Sequence, residues 1–471
     1  MRKTKIICTL GPATDNDKIL REIIKSGMNV ARFNFSHGDY KMHQKRFEQL
    51  TRLCDELNAP VATMLDTKGP EVRLGLFRDN LPVTVNKGDE YILTTKDVEC
   101  DEKQASVSFK GITGDVTVGT KILINDGLVS MIVKRVTETD VICEVLEGGT
   151  LSNNKGVNIP GVNLSMPYLS ERDMSDLEFG AKMDFDFIAA SFVRSGADID
   201  YLRKFINSLG WRTPQIIAKI ENMDGVNNID EIIAAADGVM VARGDMGVEI
   251  PFEQIPAIQK DIIRKCRHEG KQVITATQML ESMIHNHMPT RAEITDVANA
   301  IYDGTSAIML SGETAAGEHP VETVVTMATI AEATENHIDY IRQFNISDGK
   351  KDDITNAISH ATVTTAHDLG AKAIITVTKS GSTAKIVSKH RPSSMIIGCT
   401  TNKKVWRQIN LSWGVVPLLC EEKYNTDELF AHAVEVSKES GLVKTGDIVV
   451  ITAGIPLGIS GTTNMLKVER L

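Results

Sequence analysis

QIIAKIENMDGVNNIDEIIAAADGVMVARGDMGVEIP, residues 215–251, sets the reading of the whole chain. Two apolar runs, 215–221 and 238–244, each close in charge, the first as Lys219-Ile220-Glu221 and the second as Ala242-Arg243-Gly244-Asp245. The amphipathic stretch 228–236 between them is the usual connector of parallel neighbours. Strand side chains alternate, so Lys219 and Glu221 share one face. The pattern sets an ammonium and two carboxylates at the C-terminal ends of adjacent strands, where an α/β barrel collects catalytic groups. A lone strand-end Lys or Asp is ordinarily solvated or salt-bridged. Unpaired charges facing into a buried sheet are costly, and a metal or phosphate resolves the cost. Two converging carboxylates among small residues suit Mg²⁺.

Outward from this stretch the chain alternates strand and helix. Strands are predicted at 5–10, 29–35 and 61–66, with a helix from a Thr14/Asp15 cap to Lys25 and another over 40–57. From Pro70 to Met166 the rhythm breaks into Val-, Thr-, Ile- and Gly-rich segments with frequent turn signals, the mark of an inserted all-β unit. It then resumes with strands at 185–192, 215–221, 238–244, 272–277 and 307–310, and a last helix over 320–341. Eight strands, each followed by a helix, predict a (β/α)₈ TIM barrel interrupted after strand three. An open doubly wound sheet is the alternative. A polar linker is expected at 345–353, then a smaller α/β domain with helices at 354–369, 384–390, 403–409 and 426–440 and strands between them. The expected division is 1–69 barrel, 70–166 β-barrel lid, 167–344 barrel, and 345–471 a C-terminal α/β regulatory domain.

The chain has 471 residues, enough for two to four domains, and a net charge of −10. That charge speaks against a general nucleic-acid binder and against anionic membranes. No apolar stretch is long enough to cross a bilayer. The seven cysteines form no C-x-x-C pair, so reduced thiols and a cytoplasmic setting are expected. His285-Asn286-His287 is a weak metal cue, better read as a solvated loop.

Further strand ends are polar. Arg32, Asn34 and Ser36 alternate with Phe33 and Phe35, which puts three polar side chains on the barrel face. Asp66-Thr67-Lys68-Gly69-Pro70-Glu71-Val72-Arg73 closes strand three, Thr275-Ala276-Thr277-Gln278 strand seven and Ser311-Gly312-Glu313 strand eight. Their coincidence at one end of one barrel points to a site for an anionic substrate and its cations.

With RFNFSHG (32–38), LDTKGPEVR (65–73), KIEN (219–222), ARGDMGVEIP (242–251) and ATQMLESM (276–283) in this order, the chain resembles the pyruvate kinases over essentially its full length. The resemblance implies phosphoryl transfer from phosphoenolpyruvate to ADP, giving pyruvate and ATP, with Mg²⁺ (or Mn²⁺) and K⁺. It implies Glu221 and Asp245 as divalent-metal ligands and Lys219 as the lysine that steadies the phosphoryl group. Gly244 and Asp245 would lie near the substrate carboxylate, Arg32 at its phosphate, and Thr277 beside the carbon that is protonated. Asn34, Ser36, Asp66 and the Thr67 carbonyl match the K⁺ cage. Asn34, His37, Arg73 and Lys155 match nucleotide contacts, and Glu71 matches the K⁺-dependent members. Met246 and Phe33 depart conservatively from the commonest aliphatics. The run Thr378, Ser380, Gly381, Ser382, Thr383 opens a helix, where hydroxyls and free N–H groups can cradle phosphate or merely cap. In the family this loop holds a sugar-phosphate activator, and 458–462 matches the loop that closes over it. A homotetramer is implied. With Leu471 as the last residue, the phosphohistidine-type domain appended in some bacterial relatives is not expected.

Two other functions compete. A Mg²⁺-enolate lyase acting on pyruvate needs the carboxylate pair but not a nucleotide-facing Arg73 and Lys155. A silent metabolite sensor would tolerate erosion of Lys219, Glu221, Asp245 or Thr277, and all four are intact.

Overall fold

The structure, a computed structural model, describes residues 1–346, 353–456 and 462–471. Most of the expected linker and most of the 458–462 loop lie outside the described residues. Eight parallel strands close into a barrel: β1 (Lys5–Thr9), β2 (Val30–Asn34), β3 (Ala62–Asp66), β4 (Phe187–Ala190), β5 (Gln215–Ile220), β6 (Gly238–Ala242), β7 (Gln272–Ala276) and β8 (Ala307–Leu310). Nearly every residue in them is buried, as expected of parallel strands covered on both faces. Alternation divides each strand in two. Ile6, Cys8, Ala31, Phe33 and Leu65 pack outward under the helices, whereas Ile7, Val30, Met64, Ile217, Met240, Ile274 and Met309 fill the barrel.

Several boundaries shift for local reasons. The first helix is capped by Asn16, whose side chain accepts from Lys18 N, rather than at Thr14/Asp15. The helix expected over 320–341 ends at Glu335, and a separate helix, Tyr340–Ile346, follows. Both Glu335 carboxylate oxygens are engaged at the start of the chain, by Lys3 N at 2.7 Å and Thr4 N at 2.6 Å. Arg243, Gly244 and Asp245 do not extend β6; they open the short helix Arg243–Glu249.

The insertion after β3 is a seven-stranded sheet, with one two-stranded ribbon and one short helix. Its edge strands, Val72–Arg73 and Gln104–Ser106, are joined by an antiparallel bridge between Leu74 and Val107, which curls the sheet toward a barrel. Among the described residues the C-terminal unit has five strands: Ala373–Val377, Met395–Thr400, Val415–Leu419, Ile448–Gly454 and the antiparallel Thr463–Arg470.

This last unit stoppers the barrel floor. Leu411 is fully buried in the same apolar cluster as the barrel interior. Around it Arg407 forks onto the buried Asp186 at 2.8–3.1 Å, and Asn410 donates to the carbonyls of Asn29 and Pro60. Leu411→Ala should cost about 2–5 kcal/mol, a buried leucine truncated where its neighbours cannot collapse. The check is the denaturant midpoint; an unchanged one would mean that the plug carries no load.

Candidate active site

The alternation that fills the barrel with apolar side chains continues upward and changes character. Above Ile7, Val30, Met64, Ala189 and Ile217, the next inward positions are Thr9, Arg32, Asp66, Ser191 and Lys219. Register staggers this layer round the barrel: Thr9 stands opposite Arg32, but Arg32 stands opposite Met64 and Asp66 opposite Ala189, so the long Arg32 and Lys219 side chains bridge the steps.

Asp66, 1 % exposed, is the hub. It accepts from Arg32 Nε at 2.6 Å and from Lys219 Nζ at 3.0 Å. Lys219 also donates to Ser191 Oγ at 2.7 Å and pairs with Glu221 Oε1 at 2.9 Å. Glu221 Oε2 accepts from Phe192 N at 2.5 Å, and Arg32 Nη1 donates to Thr9 Oγ1 at 3.0 Å. Burial alone would lift the Asp66 carboxyl, but Arg32 and Lys219 outweigh it and hold it below the usual range. Burial would likewise lower Lys219, and Asp66, Glu221 and Asp245 reverse that. Glu221 goes the other way: burial raises it, Asp245 adds to the rise, and Lys219 only partly offsets both. By formal count two cations face three carboxylates, and burial relieves the surplus by lifting Glu221 toward its neutral form, so the cluster has no positive charge to spare for an incoming anion.

Thr277 closes the site from β7 in a left-handed conformation, φ +65°, followed by Gln278 at φ +54°. Its hydroxyl accepts from Gly244 N at 2.8 Å and donates to the Ala276 carbonyl at 2.7 Å. A methyl at Gly244 would sit 3.3 Å from that hydroxyl, so Gly244 permits the close approach. Arg243 holds the same turn by its carbonyls, Ala276 O at 3.2 Å and Thr277 O at 2.6 Å, and is itself gripped by Asp296 at 2.7 and 2.8 Å.

A cleft of about 430 Å³ opens between this rim and the inserted sheet. His37, Arg73, Lys155 and Asp245 line it together, although they lie far apart in sequence. Arg73 is steadied by Glu71, Nε to Oε2 at 2.8 Å, and by the Asn154 carbonyl at 2.7 Å. Asn158 of the insertion reaches the rim at Glu249, 2.8 Å away.

Not every polar strand end joins this site. Thr275 bonds Thr305 at 3.0 Å, and the buried Glu313 accepts from Ser311 N and Leu280 N, tying loops together. Asn34 Oδ1 accepts from Ser36 N, and the Thr67 carbonyl accepts from Ser191 Oγ at 2.6 Å. Among the described residues no group of three or more His, Cys, Asp or Glu is arranged to hold a metal, and His285 and His287 are exposed. Ser191, Arg243 and Asp296 join the site beyond the residues that the strand ends and motifs mark. Ser191 continues the inward series of Phe187 and Ala189, a signal the sequence does contain.

Residues 1–324 match the family model described as "Pyruvate kinase, barrel domain", and 356–469 the one described as "Pyruvate kinase, alpha/beta domain". The chain belongs to the pyruvate kinase family. It is 48 % identical over 471 residues to a pyruvate kinase of Clostridium acetobutylicum, covering all of this chain and 99 % of that one. A pyruvate kinase of Staphylococcus saprophyticus is also 48 % identical, with 80 % of its length covered. The crystal structure of a pyruvate kinase from Cryptosporidium parvum superposes with a TM-score of 0.94 at 39 % identity, covering all of this chain and 96 % of that one. The protein is therefore a phosphotransferase of the pyruvate kinase kind, with phosphoenolpyruvate and ADP as substrates. The barrel, the insertion after β3 and the C-terminal α/β unit are those of the family. No helix among the described residues is long and apolar enough to cross a membrane.

Proposed function

We propose that the buried Arg32–Asp66–Lys219–Glu221 cluster, facing Asp245, is the phosphoryl-transfer centre, and that the cleft above it takes the nucleotide. The observation that supports this best is the charge balance. A cluster whose cations are already matched by carboxylates must receive an anionic phosphate ester, which requires added cations. The donor set fits them. Glu221, held up by burial beside Asp245, would gain most from a divalent cation, and these two carboxylates would hold Mg²⁺ or Mn²⁺. Oxygens of Asn34, Ser36, Asp66 and the Thr67 carbonyl would hold K⁺. Bound there, the divalent ion supplies Lewis-acid stabilisation of the enolate oxygen.

The chain's own groups do the rest. Arg32 offers its fork to the substrate phosphate, and Lys219 keeps its ammonium charged where the phosphoryl group passes. Such transfer is mostly positioning and charge stabilisation, so fixed cations are the appropriate tools. Arg73, Lys155, His37 and Asn34 would hold the ADP phosphates, while Gly244 and Asp245 would lie near the substrate carboxylate. Thr277 is too weak an acid to protonate carbon unaided; its hydroxyl orders a water relay. The inserted sheet acts as a lid that excludes water. The assembly is proposed to be a cytoplasmic homotetramer, with domains divided at 69/70, 166/167 and 344/345.

The C-terminal loop is proposed to bind a sugar phosphate that favours the active state. Gly381 sits at φ +86° at the start of the helix Ser382–Lys389, and Ser380 and Ser382 hydroxyls face each other at 3.0 Å. Thr378 bonds Gly381 N and Thr383 bonds Thr463, so Ser380 and Ser382 are the hydroxyls turned to an effector.

One coupled assay of pyruvate formation tests these points. ATP should form from phosphoenolpyruvate and ADP only with a divalent cation, and faster with K⁺. A sugar phosphate should shift the phosphoenolpyruvate saturation curve leftward, and Ser382→Glu should abolish that shift. A K⁺-indifferent rate, or a Ser382→Glu enzyme that still responds, would remove the respective site.

A further inference from the structure

Far from the catalytic rim, a small cavity lies in the seam between the barrel floor and the C-terminal unit. Arg391 enters it from behind the helix Ser382–Lys389 and is 5 % exposed. One guanidinium nitrogen is used: Nη2 donates to the Gly304 carbonyl at 2.8 Å and to Ser306 Oγ at 3.2 Å. The group lies over Trp413, Cζ 4.5 Å from the ring centre. Nε and Nη1 are buried and donate to nothing.

Four more cations line the same cavity: Arg267, Lys271, Lys385 and Lys389. No carboxylate lines it, and none of the five makes an ion pair among the described residues. Lys385 and Lys271 are spent on holding the seam, at Gln215 Oε1 (2.8 Å) and the Ala236 carbonyl (2.6 Å). Among the described residues Lys389, Arg267 and the other two nitrogens of Arg391 make no hydrogen bond, and the only carboxylates that favour their charges are the more distant Glu269 and Asp353 at Lys389 and Glu335 at Arg391. Burial pushes Lys385 down to about 8, with Asp237 opposing the fall and Lys271 adding to it, and drives Arg391 down as well. A cluster that served only to join two units would show each charge on a carbonyl or an acid. Here the groups left over converge on one space, and buried charge without a partner is costly.

We infer that this cavity is an anion site that takes a small tetrahedral oxyanion of the inorganic phosphate class. The volume, about 20 Å³, limits the occupant. A single water requires roughly 10–15 Å³, so one oxygen of a compact ion enters the enclosed space while the rest lies at its open mouth, and a whole metabolite does not fit. Forked N–H donors beside ammonium groups match a phosphate better than a monovalent halide. The site is separate from the proposed sugar-phosphate cradle. That cradle opens the helix Ser382–Lys389, whereas this cavity is lined from the same helix by Lys385, Ser388 and Lys389 and by none of the cradle residues.

The test uses the full-length chain carrying Ser382→Glu, so that the cradle does not report. Thermal unfolding is followed against inorganic phosphate, with chloride at matched ionic strength as control. Phosphate should raise the midpoint and chloride should not. Adding Lys389→Gln or Arg267→Gln should weaken the phosphate dependence about tenfold, the loss of one charge-assisted hydrogen bond. Both residues lack structural bonds, so their phosphate-free midpoints should match the parent's. Phosphate bound at the catalytic rim is common to all variants and cancels. Arg391→Gln should abolish the response, but its seam bonds make it the less decisive change. If both peripheral variants keep the parent's phosphate curve, or chloride reproduces the shift, the site does not exist.

Discussion

Lys219→Met should lower kcat by roughly 10²–10³-fold, the scale of losing a fixed donor aimed at developing charge. KM for phosphoenolpyruvate should change far less, because Arg32 remains to hold the phosphate. The geometry adds a second consequence. Lys219 is the partner of Glu221 at 2.9 Å and shares Asp66 with Arg32. Without it, Asp66 keeps one cation, whereas Glu221 keeps only Phe192 N and the repulsion of Asp245. Breaking a buried pair in this way costs on the order of 3–5 kcal/mol when nothing replaces the lost partner. The variant should therefore unfold at a lower temperature than wild type in chelator, and Mg²⁺ should restore more of the difference than it adds to wild type. Steady-state kinetics and paired melts with and without Mg²⁺ measure both. A near-normal kcat would take Lys219 out of the mechanism; a Mg²⁺ response equal to that of wild type would detach the divalent site from Glu221.

That cluster was legible in sequence because one rule, alternation in a strand buried on both faces, decides which side chains look inward. The rule places Lys219 with Ile217 and Arg32 with Val30, and both lie there. It fails where the chain leaves the strand. Arg243-Gly244-Asp245 prolongs an apolar run, so pattern alone extends β6; instead the backbone turns into a short helix at Arg243. Asp296, on the helix Arg291–Asp303, is 53 positions from the arginine it grips, and no local spacing announces such a pair. Leu411 reads as an ordinary apolar residue near a helix end, and only the docking of two units turns it into the floor of the barrel. Local periodicity encodes the layers of the barrel. The contacts between units depend on tertiary packing, which leaves no short-range pattern.

Arg243 is expected to matter nearly as much as the residues that touch substrate, although it acts through another side chain. Thr277 is β-branched and held at φ +65°, where its methyl and hydroxyl crowd the backbone, and Gln278 follows at φ +54°. Each such residue costs about 1–3 kcal/mol and persists only when its surroundings over-determine it. Arg243 does this twice. Its guanidinium takes the Ala276 and Thr277 carbonyls, and the next residue's N–H takes the Thr277 hydroxyl. Arg243→Met should let the turn relax and carry the hydroxyl away from the substrate. A misplacement of about 1 Å can cost 10²-fold, so kcat should fall by about that factor, and by less in Asp296→Asn, which only loosens the arginine. Exchange of the pyruvate methyl protons with solvent should fall in step, as a readout of the protonation half of the reaction. Gln278 is exposed, so glycine there removes strain without removing packing. Gln278→Gly should therefore recover part of the kcat lost in Arg243→Met, while doing little in the wild-type background. If the double variant is no faster than Arg243→Met alone, the strained turn is not what Arg243 maintains. If Thr277→Ala exchanges protons at the wild-type rate, the turn has no part in the chemistry and the arginine is structural only.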